Sequence, residues 1–211
     1  MAANFYHDNP DLRFRLEHSD LREITAALED DYAQSGAFDH APRHFADAMD
    51  SYERLLGLLG AICAEDIAPH ASEAAEEGVH FAQGEVRYAA RTIDAIERLR
   101  GAELMGAMLP RQYGGLNLPQ TVFQLMIELV SRAESGLMTV FGLQEISATI
   151  AEYGDDEMRD RLLPRFARGD VTGAMVLTEP DAGSDLGMLQ TTATYDDGAD
   201  TWRLRGVKRF I

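Results

Sequence analysis

One cysteine in 211 residues, Cys63, leaves no internal disulfide and points to a reducing compartment. Long apolar runs are missing as well. The stretch around Leu55–Cys63 is too short to span a bilayer and gives way at once to Glu65 and Asp66. The opening residues, MAANFYHDNPDLRFRLEH, lack the basic and apolar regions of a secretory signal, so a cytoplasmic location is the expectation. Basic residues are scarce, 19 Lys and Arg against 36 Asp and Glu, for a formal charge of −17. Binding to a phosphate backbone rests on Lys and Arg, so this balance argues against a nucleic-acid partner and against adhesion to anionic membranes. A phosphorylated cofactor stays open, because main-chain amides and a few local cations can hold one.

What is present is the composition of an ordinary globular protein, 45% hydrophobic and 26% charged, enough for one large domain or two small ones. Residues 1–48 form a polar, acidic leader. Within it Leu12, Leu16, Leu21, Ile24 and Leu28 recur at helical steps, with a break at Ser19-Asp20 where Asp20 and Glu23 read as a capping box. Residues 49–170 read as a helical domain. Met49, Tyr52, Leu55, Leu56, Leu59, Ile62 and Cys63 share one helix face, and Pro69 marks a change of direction. A Glu- and Gly-rich loop is expected over 73–86, then a helix over 88–100 with Gly101 as its stop. A Gly- and Pro-rich loop follows over 104–119. Further helices are expected after a Thr121 cap, over 143–153 up to Gly154, after an Asp155 cap, and from Pro164 to Gly169.

Past Asp170 the period changes. Over 171–211, VTGAMVLT, QTTATY, TWRLR and VKRFI are short, β-branched and separated by turn clusters, which predicts helices first and antiparallel strands second, an α+β order. The chain stops at Ile211 in what reads as mid-strand, so these residues are expected to be the front part of a longer protein.

The densest local signal is TEPDAGSD (178–185). As a turn, Pro180 fixes one position, Gly183 supplies a positive φ, and the Asp and Ser side chains bond to nearby backbone. As a cradle, it offers amides and the hydroxyls of Thr178 and Ser184 to a polar ligand. It is neither a Walker A loop nor an EF-hand loop. His40 and His44 are four apart, but Pro42 breaks any helix between them and no third ligand is near, so no metal is expected. Cys63 reads as a small buried hydrophobe, and Met105, Met108, Met126 and Met138 read as core. Arg205, Lys208 and Arg209 read as a solvated strand face, with a cofactor phosphate the lesser alternative.

Four blocks in order, LPRQYGG (109–115), GLQEISATIAEYGDDEMRDRLLPRFARGD (142–170), GAMVLTEPDAGSDL (173–186) and WRLRGVKRFI (202–211), resemble the acyl-CoA dehydrogenase family. The resemblance implies an α-helical domain, then the first strands of a barrel-like middle β domain, with the family's C-terminal helical bundle absent. It implies an FAD enzyme that removes two hydrogens across the α and β carbons of an acyl-CoA, a step of fatty acid metabolism. By motif position, Met175, Leu177 and Thr178 would line the flavin. Ser184 would bond a cofactor phosphate or the CoA chain, and Phe210 and Ile211 would pack against the ring. Phe210 stands where many relatives have tryptophan, and Asp181 where many have glycine. No residue matches the family's catalytic glutamate, so the base is expected beyond Ile211, with Glu179 structural and this chain alone inactive. An electron-transfer flavoprotein as acceptor and a homodimer or tetramer are further implications. The leader resembles the extension of the longer, large-substrate branch, with an oligomer or domain contact as its expected use. The alternative is a helical assembly module of the same family that has lost catalysis.

Overall fold

Apolar side chains three and four residues apart wind most of the chain up to Gly173 into helices; the computed structural model describes residues 3–211. Helix α1 (Pro10–His18) opens on Asn9, whose side chain accepts from the Asp11 and Leu12 amides, with Pro10 where no amide is required. Helix α2 (Arg22–Leu28) follows. The Asp20 carboxylate accepts from the Arg22 amide at 3.3 Å, a local turn bond rather than a capping box, and Leu21 takes the cap position. Tyr6, Leu12, Leu16 and Leu21 are buried in the same apolar core as Leu56, Leu59 and Ile62 of α3 (Phe45–Ile62). Phe14 and Ile24 of the leader, by contrast, are exposed.

Helix α3 passes through one wide π turn (Cys63–Ile67) and a tight 3-10 turn (Ala68–His70) into α4 (Ala71–Glu77). Pro69 sits in that tight turn, where the sequence puts the change of direction. The expected loop over 73–86 is more ordered than its Glu and Gly content suggests. It holds most of α4 and an antiparallel hairpin of β1 (His80–Ala82) and β2 (Glu85–Arg87). Gln83 and Gly84 both take left-handed φ, 55° and 82°, the pair that a two-residue turn between twisted strands demands.

Helix α5 (Ala90–Gly101) includes Gly101 and does not stop on it; the left-handed residue beyond it is Glu103, with φ 59°. Helix α6 (Gln120–Ala133) buries Val122, Met126, Leu129 and Val130. Thr121 lies inside its first turn, with Pro119 in the cap position. The sequence gives no warning of α7 (Ser135–Gly142), which starts where the Glu134 carboxylate accepts from the Gly136 and Leu137 amides. Helix α8 (Ile146–Tyr153) ends at Gly154, and Asp155 caps α9 (Asp156–Ala167) by accepting from the Met158 amide at 2.7 Å. Pro164 lies within α9 and does not open a separate helix. Among the described residues no helix is long and apolar enough to cross a membrane.

An ion pair lies inside this unit. Arg111, in LPRQYGG, grips Glu29 at the end of α2 through both guanidinium nitrogens, at 2.6 and 2.9 Å. Their side chains are 4% and 1% exposed, and Arg111 also donates to Gln34 Oε1 and the Leu116 carbonyl. Charges removed from water this fully persist only when paired and hydrogen-bonded. Asn117 adds a second tie by donating to the Leu28 carbonyl at 2.7 Å. Leader and motif loop are therefore fastened by polar bonds as well as by the shared core.

The second unit, Ala174–Ile211, is built on an antiparallel hairpin of β3 (Thr192–Asp196) and β4 (Thr201–Arg205), paired from Thr192 opposite Arg205 to Asp196 opposite Thr201. Strands expected over 171–178 and 207–211 do not form. A strand needs a full lateral ladder, and between these two segments the main-chain link is one bond, from the Arg209 amide to the Thr178 carbonyl at 2.9 Å. The order of helical domain and then antiparallel strands is the predicted α+β arrangement.

Candidate functional site

Glu179 anchors the second unit. Its amide donates to the Ala182 carbonyl at 2.8 Å, and the Ala182 amide donates back at 3.2 Å, which closes a two-residue turn over Pro180 and Asp181. Proline suits the first of those positions, and Asp181 stands at negative φ, so an aspartate is accommodated without strain. Gly183 also stays out of the left-handed region, against the positive φ that the turn composition predicts. Asp185 then caps a short 3-10 turn (Leu186–Met188) by accepting from the Gly187 amide.

The Glu179 side chain, in a residue 6% exposed, reaches back into the unit. One carboxylate oxygen accepts from the Gln190 amide at 2.7 Å; the other accepts from the Thr191 amide at 3.1 Å and lies 2.9 Å from Lys208 Nζ. Its carboxyl is held down at about 2 by the Thr191 hydroxyl beside it, the Gln190 amide and the Lys208 ammonium. That hydroxyl falls short of a full hydrogen bond, so the two amides and the ammonium fix the geometry. The sequence reading of Glu179 as structural is thereby refined: its partners lie eleven and more residues away rather than in the following turn. Lys208, the one lysine among the chain's 19 basic residues, is not a solvated strand cation. It also donates to the Leu177 carbonyl at 2.9 Å, with its side chain 21% exposed.

These bonds leave part of the 177–178 main chain unpaired. The Leu177 and Thr178 carbonyls are taken by Lys208 and Arg209. The Leu177 and Thr178 amides and the Thr178 hydroxyl have no protein partner among the described residues. Met175, Val176 and Leu177 are exposed beside them. Ser184, past the turn, is exposed and makes no hydrogen bond to the described chain. Phe210 is 90% exposed with a left-handed φ of 58°, and Ile211 is exposed next to it. The hydrogen bonds thus bring Leu177 and Thr178 beside the 208–209 segment and leave Ser184 apart from them. Glu179, Asp181, Met188, Gln190, Arg205 and Val207 help to line an open cleft of about 440 Å³.

The lesser candidates are quickly placed. His44 spends its Nδ1 on capping α3, accepting from the Asp47 amide at 3.1 Å. Burial pushes the Cys63 thiol up to about 12, so it stays protonated and inert. Sequence reasoning missed Arg111 with Glu29, and it missed the Glu179–Lys208 tie. A lone lysine in an otherwise all-arginine basic set was the available signal for the second.

The family model described as acyl-CoA dehydrogenase, N-terminal domain, matches residues 50–170. An acyl-CoA dehydrogenase of Mycobacterium tuberculosis is 39% identical over 108 residues, covering 51% of this chain and 27% of that protein. The crystal structure of an acyl-CoA dehydrogenase from Geobacillus kaustophilus superimposes with a TM-score of 0.64 at 23% identity, covering 76% of this chain and 39% of that one. An acyl-CoA dehydrogenase from Bacillus anthracis, solved in complex with FAD, gives 0.63 at 24% identity over 75% of this chain and 26% of its own. At such identities the structural likeness concerns the fold, and the chain spans about a quarter of the length of the M. tuberculosis relative. Because the family model covers more than half of these residues and the fold agrees with it, the chain belongs to the acyl-CoA dehydrogenase family.

Proposed function

We propose that this chain supplies the front of an FAD site for the α,β-dehydrogenation of an acyl-CoA thioester. The observation that carries the reading is the edge at Leu177–Thr178, where both carbonyls are consumed and the amides and hydroxyl are left free. Such an edge suits a flat ring bordered by acceptors, and the exposed Met175 and Leu177 side chains give that ring an apolar bed. The solved FAD complex of a family member supports the same cofactor here. Held there, FAD would supply the acceptor for the hydride that leaves the acyl β-carbon.

The chain's own residues bind and orient. The Leu177 and Thr178 amides and the Thr178 hydroxyl donate to the ring edge from a main chain already fixed by Lys208 and Arg209, so little reorganisation accompanies binding. Phe210 and Ile211 pack on the ring. The exposed Ser184 hydroxyl bonds a cofactor phosphate or the CoA chain. Glu179 is no proton acceptor, since both its oxygens are bonded and its carboxyl is ionised down to about 2. The base that takes the α-proton comes from outside residues 3–211, and these residues alone turn over no acyl-CoA. A homo-oligomer, residence in the cytoplasm and an electron-transfer flavoprotein as acceptor complete the reading. The domain plan is a leader at 1–48, a helical domain at 49–170 and the start of the flavin-binding β domain at 171–211.

Titrating the chain with FAD, followed by quenching of flavin fluorescence, tests the site. Saturable uptake that Thr178→Val weakens is the expected result. Absence of uptake would leave the assembly-module alternative standing.

A further inference from the structure

The Glu179–Lys208 tie does more than close the second unit. Eighteen of the chain's 19 basic positions are arginine, yet lysine stands where a compact ammonium has to reach a carboxylate and a main-chain carbonyl together. A guanidinium is a wide planar fork on a longer reach, and it fits such a two-point peg poorly. The approach of the segment is set independently. A Cβ on Gly206 would collide with the Thr191 hydroxyl and come within 2.7 Å of the Thr191 Cβ. Glycine is therefore what lets the chain leaving β4 press against Thr191, the residue whose amide holds Glu179. Two residues later Lys208 arrives over Glu179, and the next amide, Arg209, meets the Thr178 carbonyl.

We propose that Lys208 is a positioning residue for the flavin edge: held by Glu179, it occupies the Leu177 carbonyl and so aims the Thr178 amide, on the far side of the same peptide unit, outward toward the ligand. The inference rests on the FAD reading given above and adds the residue that shapes that edge. The facing charged groups are few. Glu179 is the carboxylate on Lys208, and Arg209 enters through its main-chain amide. Removing the ammonium has two separable effects. It strands the carboxylate of a nearly buried glutamate, and it frees the Leu177 carbonyl to turn toward the ligand, presenting an acceptor to an acceptor-edged ring.

The test uses the whole 211-residue chain with two readouts, hydrogen exchange of the Arg209 and Thr191 amides and the dissociation constant for FAD. Lys208→Met is expected to speed Arg209 amide exchange at least tenfold and to weaken FAD at least tenfold. The double variant Glu179→Gln/Lys208→Met removes the stranded charge. It is expected to recover Thr191 protection, with the glutamine oxygen accepting there and its NH2 leaving the Gln190 amide without an acceptor, while Arg209 exchange stays fast and FAD stays weak. Unchanged Arg209 exchange in Lys208→Met overturns the proposal. So does a double variant that binds FAD like the parent, because the pair would then be structural only. A parent chain that takes up no FAD sinks the flavin reading instead, and the exchange results still decide whether Lys208 holds this edge.

Discussion

In the unit that runs to Gly173, Leu56, Leu59, Leu129 and Val130 are fully buried, and around them α1, α3, α5, α6 and α7 share one apolar core. In Ala174–Ile211 the buried apolar side chain is Ala182, while Trp202, Leu204, Val207 and Phe210 lie exposed. The first unit is held by area removed from water, at roughly 25 cal/mol per Å². The second is held by a strand ladder and by the bonds that converge on Glu179. Apolar cohesion tolerates the loss of one contact in many, whereas a tie made of a few polar bonds is sensitive to each of them. The contrast teaches that family motifs occurring a few dozen residues apart can rest on different physics.

The contrast breaks most sharply at the buried ion pair of the helical unit. Arg111→Met leaves the Glu29 carboxyl without its partner in a site 1% exposed, and the expected loss is about 3–5 kcal/mol in denaturant unfolding followed by helical circular dichroism. A loss near zero would mean that the pair is not buried in solution. Next comes Leu129→Ala in α6, with an expected cost of about 3 kcal/mol from transfer and cavity terms. The hydrogen exchange of Thr191 should not respond to it at all, which sharpens the separation of the two units. Asp155→Ala removes the α9 cap and should cost about 1 kcal/mol by thermal melting. The smallest global effect is an acid one, confined to the second unit. The Glu179 carboxyl lies at about 2 against an ordinary 4.5, so the unfolded chain takes up this proton first. Its stabilisation is complete above about 4.5 and fades as pH falls toward about 2. Trp202 fluorescence, a reporter within β4, should therefore change in acid before the helical signal does, and Glu179→Gln should abolish that early step.

Much of this was legible from local chemistry. The faces of α3 and α6 follow from apolar spacing, the α9 cap from Asp155, and the β3–β4 hairpin from alternating β-branched residues around a turn cluster. What escaped was of two kinds. The β1–β2 hairpin hid because Gln83-Gly84 is an uncommon spelling of a left-handed pair, and α7 because its cap is a glutamate folding back on its own helix. The buried Arg111–Glu29 pair joins residues 82 apart in sequence, and no periodicity encodes such a contact. At the candidate site, the motif made Thr178 and Ser184 stand out, but not the roles of Gly206, Thr191 and Lys208. Their importance comes from where the hairpin delivers them.

The family match begins at residue 50, whereas the folded core begins at Tyr6. That offset matters for recombination. A chimera that swaps residues 50–170 between relatives would carry Arg111 away from Glu29 and leave the cation facing whatever the foreign leader presents. Leader and motif loop are thus coupled: residues 50–170 of this chain carry a buried cation whose carboxylate partner lies outside them.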